Sequence, residues 1–320
     1  MIDFLETSGW GDARRQSLAG DASARRYTRL FRGVETAILM QDPEGDVALF
    51  ARLARHLTGL GLSAPRIFAE DAAHGLLLIE DLGDGLLARL AQDTQTEQSL
   101  YLLATDALIA LHRASPPPDL PLASPDRLAA MVDLAFQHYT HAPDALPQAV
   151  AAFAPLLQVH AMPADVMVLR DYHAENILYL PRREGVARAG LLDFQDALQG
   201  HRAYDLVSLI EDARRDVSPQ TARACIAQYL TATGLPKEAF HASLAVLGAQ
   251  RNLRILGVFA RLASTRGKPH YIDLIPRVWG HLQADLAHPV LATVKPILDA
   301  ALPAPDTAHL ERLKARCPTP

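Results

Sequence analysis

The chain predicts an α+β fold of two unequal parts. A small antiparallel sheet with one main helix fills residues 1–82, and a larger, mostly helical part fills residues 83–320. Three observations predict this. Short β-compatible runs punctuated by Gly20-Asp21 and Gly33 crowd the stretch from Leu18 to Met40. One amphipathic stripe follows, with Val47, Phe50, Leu53, Ala54, Leu57 and Leu60 at i, i+3, i+4 spacing. After Gly85 the texture turns helical, broken by a single strand-rich island between Val166 and Ala197.

The opening residues predict a short helix, broken at Gly9 and Gly11. "LAGDASARRYTRLF" then reads as a hairpin, and Thr36–Met40 as its third strand. Pro43 and Gly45 precede the helix over Val47–Leu60, which Gly59 and Gly61 end. Two further strand-like runs follow Pro65, the second being "GLLLIEDLGD". Thr96 and Glu97 open a helix that carries Leu100, Leu103, Ala107, Leu108 and Leu111 on one face. The proline-rich run Ser115–Pro125 cannot be helix or central strand and reads as a surface loop within the helical part. Helical texture resumes from Asp126 to Val159 and again from Ser218.

Hydrophobic content of 49% and charged content of 21% are ordinary for a folded soluble protein. A net charge of -5 argues against a general nucleic-acid binder but leaves room for a local basic pocket. Cys225 and Cys317 form no metal or redox motif, so unpaired thiols are expected. The start has no secretory signal and no apolar run approaches a membrane span, so a cytoplasmic location without membrane attachment is expected. The oligomeric state is not legible.

The chemistry is concentrated in "VMVLRDYHAENILYLPRREGVARAGLLDFQDA". "VMVL" is a short strand, "RDYHAEN" a polar loop, "ILYL" a second strand, and "ARAGLL" runs back after a turn. That hairpin returns Asp193 to the neighbourhood of Asn176, with Asp171 on the loop just outside. One amide oxygen and a carboxylate, without histidine or thiolate clusters, suit a hard cation such as Mg²⁺ that shares its shell with phosphate oxygens. A further carboxylate left off the metal can accept a proton from an attacking hydroxyl.

"LRDYHAEN" followed by "LLDFQD" resembles the catalytic and metal-binding loops of the aminoglycoside phosphotransferase and choline kinase-like superfamily. The resemblance implies a bilobal protein kinase-like fold and transfer of phosphate from ATP, or another nucleoside triphosphate, to a hydroxyl of a small molecule. It implies Asp171 as catalytic base, Asn176 and Asp193 as Mg²⁺ ligands, His173 near the transferred phosphate, and Asp205 as a brace for the catalytic loop. "IEDLG" resembles the lobe connector, where backbone groups of Glu80 and Leu82 would meet adenine. The "GDAS" turn would cover the nucleotide phosphates with backbone N–H groups and the Ser23 hydroxyl.

A narrower resemblance runs through "GDASARRYTRL", "ILMQDPE", "LLLIEDLGD", "DARRDV" and "RNLRILGVFARL" as well as the island. These segments look like bacterial anomeric amino-sugar kinases, which phosphorylate N-acetylmuramate and N-acetylglucosamine at the 1-hydroxyl in cell-wall recycling. An aminoglycoside or other small-alcohol kinase is the alternative enzyme. A nucleotide-binding pseudokinase acting through a partner is the alternative of another class.

Two departures stand out. Met40 occupies the third-strand place where such kinases carry a lysine for the nucleotide phosphates, and the Val47–Leu60 helix has no glutamate to pair with one. Arg25, Arg26 and Arg29 are candidates for the replacement charge; strand alternation sets Arg26 apart, and Arg26 is the expected phosphate contact. Leu169 stands where the superfamily has a bracing histidine, so packing or another group must hold the loop. On the acceptor side, Glu175, Asp196 and Arg254 are the candidate substrate contacts. Acids there mix with Arg170, Arg202, Arg214, Arg215 and Arg251, a rim better matched to a carboxylate-bearing sugar than to a polycation.

Overall fold

The computed structural model describes residues 2–18 and 25–318. They divide into two compact units, one of residues 1–114 with 174–196, the other of residues 115–173 with 197–320. The expected boundary near residue 82 falls inside the first unit, just after its sheet.

In the first unit, α1 (Ile2–Thr7) leads to β1 (Arg14–Ser17), β2 (Arg26–Arg32) and β3 (Glu35–Gln41). Next come α2 (Val47–Gly59), β4 (Ile67–Asp71) and β5 (Leu76–Glu80). This is the expected order of three strands, a helix and two strands, in an antiparallel sheet of order β1-β2-β3-β5-β4. The difference lies at the start. β1 begins earlier than Leu18, because "RRQS" is polar and exposed at all four positions and carries no apolar alternation to betray an edge strand.

Strand alternation gives the sheet two faces. Leu30, Ala37, Leu39 and Leu78 join Leu5, Trp10 and Ala13 in one buried cluster. Pairing of Tyr27 with Met40, Arg29 with Ile38 and Met40 with Leu77 sets those residues on the other face. The α2 stripe of Val47, Phe50, Leu53, Ala54 and Leu57 is buried, and α2 packs against β4 and β5. Asp46 caps α2 by accepting the Leu49 N–H at 2.8 Å. The unit continues through α3 (Leu87–Leu90) and α4 (Thr94–Leu111).

The chain then enters the second unit with α5 (Pro125–Ala130), α6 (Leu146–His160) and β6 (Val166–Val168). It returns to the first for the hairpin of β7 (Ile177–Tyr179) and β8 (Ala189–Leu191). Back in the second unit, β9 (Leu198–Gly200) pairs with β6, a strand that the sequence did not announce. The proline-rich loop lies along β9, with the Ala123 N–H on the Gln199 carbonyl at 2.8 Å. Helices α7 (Ala203–Ile210), α8 (Pro219–Thr233), α9 (Lys237–Arg266), α10 (Ile275–Leu286), α11 (Lys295–Ala301) and α12 (Thr307–Lys314) complete it. The 30-residue α9 is its spine, touching α6, α7, α10 and α12. A Cβ on Gly257 would stand 2.2 Å from the Leu134 carbonyl carbon, so α9 needs glycine at that close approach. No disulfide joins Cys225 and Cys317, and no described helix is long and apolar enough to cross a membrane.

Candidate active site

The chain passes between units after His173 and again after Asp196, so the candidate residues fall into two sets. Asp171, His173, Asp205 and Arg254 belong to the helical unit. Asn176, Asp193, Glu175, Asp196, Arg26, Glu80 and Leu82 belong to the sheet-bearing unit. Ser23 and the rest of the "GDAS" turn lie outside the described residues.

In the helical unit, β6 ends at Val168 and the chain turns sharply through Arg170, whose φ is +72°. A non-glycine residue pays for that conformation and holds it only under external restraint. Asp205 of α7 supplies the restraint. It is fully buried, and its two carboxylate oxygens accept the Leu169 N–H at 2.6 Å and the Arg170 N–H at 2.9 Å. Ser208, one turn further along α7, donates to the Arg170 carbonyl at 3.1 Å. Arg251 of α9 donates to the Ser208 hydroxyl at 2.8 Å. These groups, with the 2% exposed Leu169 packed inside, hold the loop where a histidine was missing. Ser208 was not anticipated; its position three residues after Asp205, on one helix face, was the available signal.

Burial pushes the Asp205 carboxyl up to about 7, against the two N–H bonds that favour its charged form, and the nearby Asp171 charge adds to the rise. Asp171 is half-buried, and its carbonyl accepts the His173 N–H at 3.1 Å. His173 is buried, and its Nε2 lies 3.1 Å from the Arg214 guanidinium. Burial, then Arg214 and Arg251, hold the imidazole well below its ordinary range, so the ring is neutral and accepts the Arg214 N–H.

In the sheet-bearing unit the β7–β8 hairpin does what its spacing predicts. The Leu192 N–H donates to the Asn176 carbonyl at 2.9 Å, which brings Asn176 beside Asp193. Asp193 itself has φ +56°, and the Phe194 ring, fully buried, sits 4.8 Å from the Phe50 ring of α2. That buried ring fixes the loop and leaves the Asp193 side chain 44% exposed. Asp193 Oδ1 accepts from Arg25 at 3.2 Å and from Gln195 at 2.8 Å. Its Oδ2 makes no hydrogen bond among the described residues. Glu175 and Asp196 are exposed.

The cation that reaches Asp193 is Arg25, anchored by Asp42 at 2.9 Å. By alternation Arg25 is on the sheet face that carries Met40, whereas Arg26 is exposed and on the other face. Met40 is 1% exposed, a core residue. Arg29 clamps the connector after β5, meeting Asp81 at 2.9 Å and Asp84 at 2.8 Å. The Asp84 carboxyl is lowered by that Arg29 contact. Glu80 spends its backbone N–H on the Arg66 carbonyl at 2.8 Å and its carboxylate on Arg66 and Arg183. The Leu82 backbone makes no hydrogen bond among the described residues.

Among the described residues no three His, Cys, Asp or Glu side chains cluster into a metal cage. The Asn176 and Asp193 pair still fits Mg²⁺: both bring hard oxygen, Asp193 is open to solvent, and Mg²⁺ is ordinarily held by one or two carboxylates with phosphates and water completing its shell.

A family model described as "Phosphotransferase enzyme family" matches residues 14–241. An N-acetylmuramate/N-acetylglucosamine kinase of Caulobacter vibrioides is 41% identical over 94% of this chain and 95% of its own length. A kinase of the same name from Pseudomonas aeruginosa is 32% identical over 95% of this chain and 94% of its own. A solved choline/ethanolamine kinase family protein from Mesorhizobium loti superposes with a TM-score of 0.64, covering 98% of this chain and 100% of that one. At 15% identity it shares the fold.

Proposed function

The chain belongs to the phosphotransferase enzyme family, and from that premise we propose that it transfers the terminal phosphoryl group of ATP to the anomeric hydroxyl of N-acetylmuramate and N-acetylglucosamine. The observation that carries the reading is near full-length similarity, at 41% identity, to a kinase named for both sugars.

In this reading Asp171 accepts the proton of the sugar 1-hydroxyl as its oxygen attacks the γ-phosphorus in line, and ADP leaves. The bond formed is sugar O–P and the bond broken is the one from the γ-phosphorus to the β,γ-bridging oxygen. Asp205, Ser208 and Arg251 hold the backbone of the base loop, and the restraint on Arg170 supports that role. Asn176 and Asp193 would hold Mg²⁺, which supplies charge neutralisation on the donor phosphates when bound. Arg25, beside Asp193 and on the Met40 face, is our candidate for the missing lysine's charge, ahead of Arg26. Leu82 would receive adenine through its backbone. His173 acts through Arg214, since a neutral ring adds no charge near a phosphate. Glu175 and Asp196 remain exposed candidates for acceptor contacts.

The test is direct. The protein with ATP, Mg²⁺ and either sugar should yield a sugar 1-phosphate, seen by phosphorus NMR together with loss of the reducing end. Turnover of kanamycin-like polyamines with neither amino sugar accepted would favour the aminoglycoside-type reading. No turnover on any hydroxyl, with nucleotide binding intact, would favour a pseudokinase.

A further inference from the structure

Helix α9 is enclosed on nearly all sides: between Ala242 and Ala260, every residue is buried except Arg254 and Val258. Three of its buried polar side chains donate to neighbouring elements. Gln250 donates to the Leu128 carbonyl at 2.8 Å, and Arg251 to Ser208 at 2.8 Å. Asn252 donates to Glu211 at 2.7 Å and to Asp285 at 3.0 Å. Arg254 is half-buried. Its guanidinium makes no hydrogen bond or ion pair among the described residues, and burial lowers its pKa.

A half-buried guanidinium that makes no hydrogen bond among the described residues keeps its donors available to an anion that a ligand brings. The titratable groups acting on Arg254 are Tyr204, Arg170, Asp171 and Arg251, all within the helical unit. Two of those are cations, so the surroundings repel a further positive group and favour a negative one. Arg254 stands one helical turn from Arg251, whose bonds run through Ser208 to the Arg170 carbonyl, next to Asp171. A hydroxyl that gives its proton to Asp171 must come within about 3 Å of that carboxylate. The rest of the same acceptor molecule therefore lies in the neighbourhood of Arg254.

We infer that Arg254 is a specificity-determining residue that binds a carboxylate on the acceptor, and that it selects the lactyl sugar N-acetylmuramate over N-acetylglucosamine. The inference rests on the amino-sugar reading above. The two sugars share the reacting 1-hydroxyl and the acetamido group and differ in the lactyl ether at C3, which ends in a carboxylate. A planar guanidinium matches that carboxylate with two parallel hydrogen bonds.

The experiment compares kcat/KM for both sugars in wild type, Arg254→Gln and Arg254→Lys. With Arg254→Gln, kcat/KM for N-acetylmuramate should fall about 10- to 100-fold, the usual range for a lost charged hydrogen bond. The N-acetylglucosamine value should stay within about 3-fold, which also reports an intact fold. Arg254→Lys, which keeps the charge and loses the fork, should fall between and serves alone if the glutamine variant does not fold. Equal losses on both sugars would overturn the inference by moving Arg254 to the shared phosphate or to the fold. No loss on either sugar would overturn it too, as would a wild type that accepts N-acetylglucosamine alone. A wild type that phosphorylates neither sugar refutes the underlying reading instead, so the two failures are distinguishable.

Discussion

Residues 169–173 are held by side chains reaching in from α7 and α9, whereas residues 193–196 are held by a two-stranded hairpin, one buried ring and one arginine. The first segment is braced through backbone atoms, with Asp205, Ser208 and Arg251 buried around it. The second is pinned at Phe194 and leaves the Asp193 side chain open. The contrast suits the two roles proposed for Asp171 and Asp193. A base must meet a hydroxyl proton in one orientation, so its loop gains from rigid support. A ligand to an ion shared with phosphates must stay accessible, since ion and nucleotide arrive and leave each turnover.

The comparison can be broken at either end. The largest effect is expected from Asp171→Asn, which removes the proposed proton acceptor and keeps the shape. Turnover should fall by at least about 10²-fold while nucleotide affinity, read by calorimetry, stays near wild type. Asp193→Asn should act on the other quantity, weakening Mg²⁺-dependent nucleotide binding by about 10-fold or more, visible as a lost thermal shift with Mg²⁺ and a nonhydrolysable ATP analogue. Were both variants to lose kcat alone, by similar factors, the division of labour between the loops would be refuted.

Ser208→Ala probes the brace itself. Removing one hydroxyl that links Arg251 to the Arg170 carbonyl should lower kcat about 3- to 10-fold with little change in KM for ATP, and lower stability by about 1 kcal/mol. A lower Tm with unchanged kcat would reduce the brace to a packing role.

The smallest effect concerns pH. Glu211 and Asp285 crowd together in the helical unit with Asn252 donating to both, and burial first, then mutual repulsion at Asp285, raises both carboxyls. Glu211 rises from 4.5 to about 7, so the native state binds its proton more tightly than the unfolded chain. Stability from this group is complete below the unfolded value and is lost as pH climbs through about 7. Glu211→Gln should therefore narrow the Tm difference between about pH 5 and about pH 8 relative to wild type. An unchanged difference would mean that the pair does not titrate in that window.

The succession of strands and helix before residue 82, the α2 stripe and the β7–β8 hairpin were legible because each rests on local periodicity: alternation, 3.6-residue spacing, or turn chemistry between two short apolar runs. Strands β1 and β9 were not. One is a polar edge, and the other is three residues long and defined by a partner far back in the chain. Arg25 and Arg26 illustrate the same limit. Alternation separated their faces, yet which face met the Asp193 loop depended on a chain segment well over a hundred residues away.

By itself the sequence determined the two textures of the chain, the hairpin that returns Asp193 to Asn176, and the set of acids and amide available for chemistry. All of these follow from neighbours a few residues apart. Only the tertiary structure decided how the Leu169 loop is held, that His173 is a buried neutral acceptor for Arg214, that Arg25 faces Asp193, and that Arg254 sits half-buried one helical turn from Arg251. Those facts depend on burial and on charges brought together by packing, and neither desolvation nor a long-range hydrogen bond leaves a mark on local spacing.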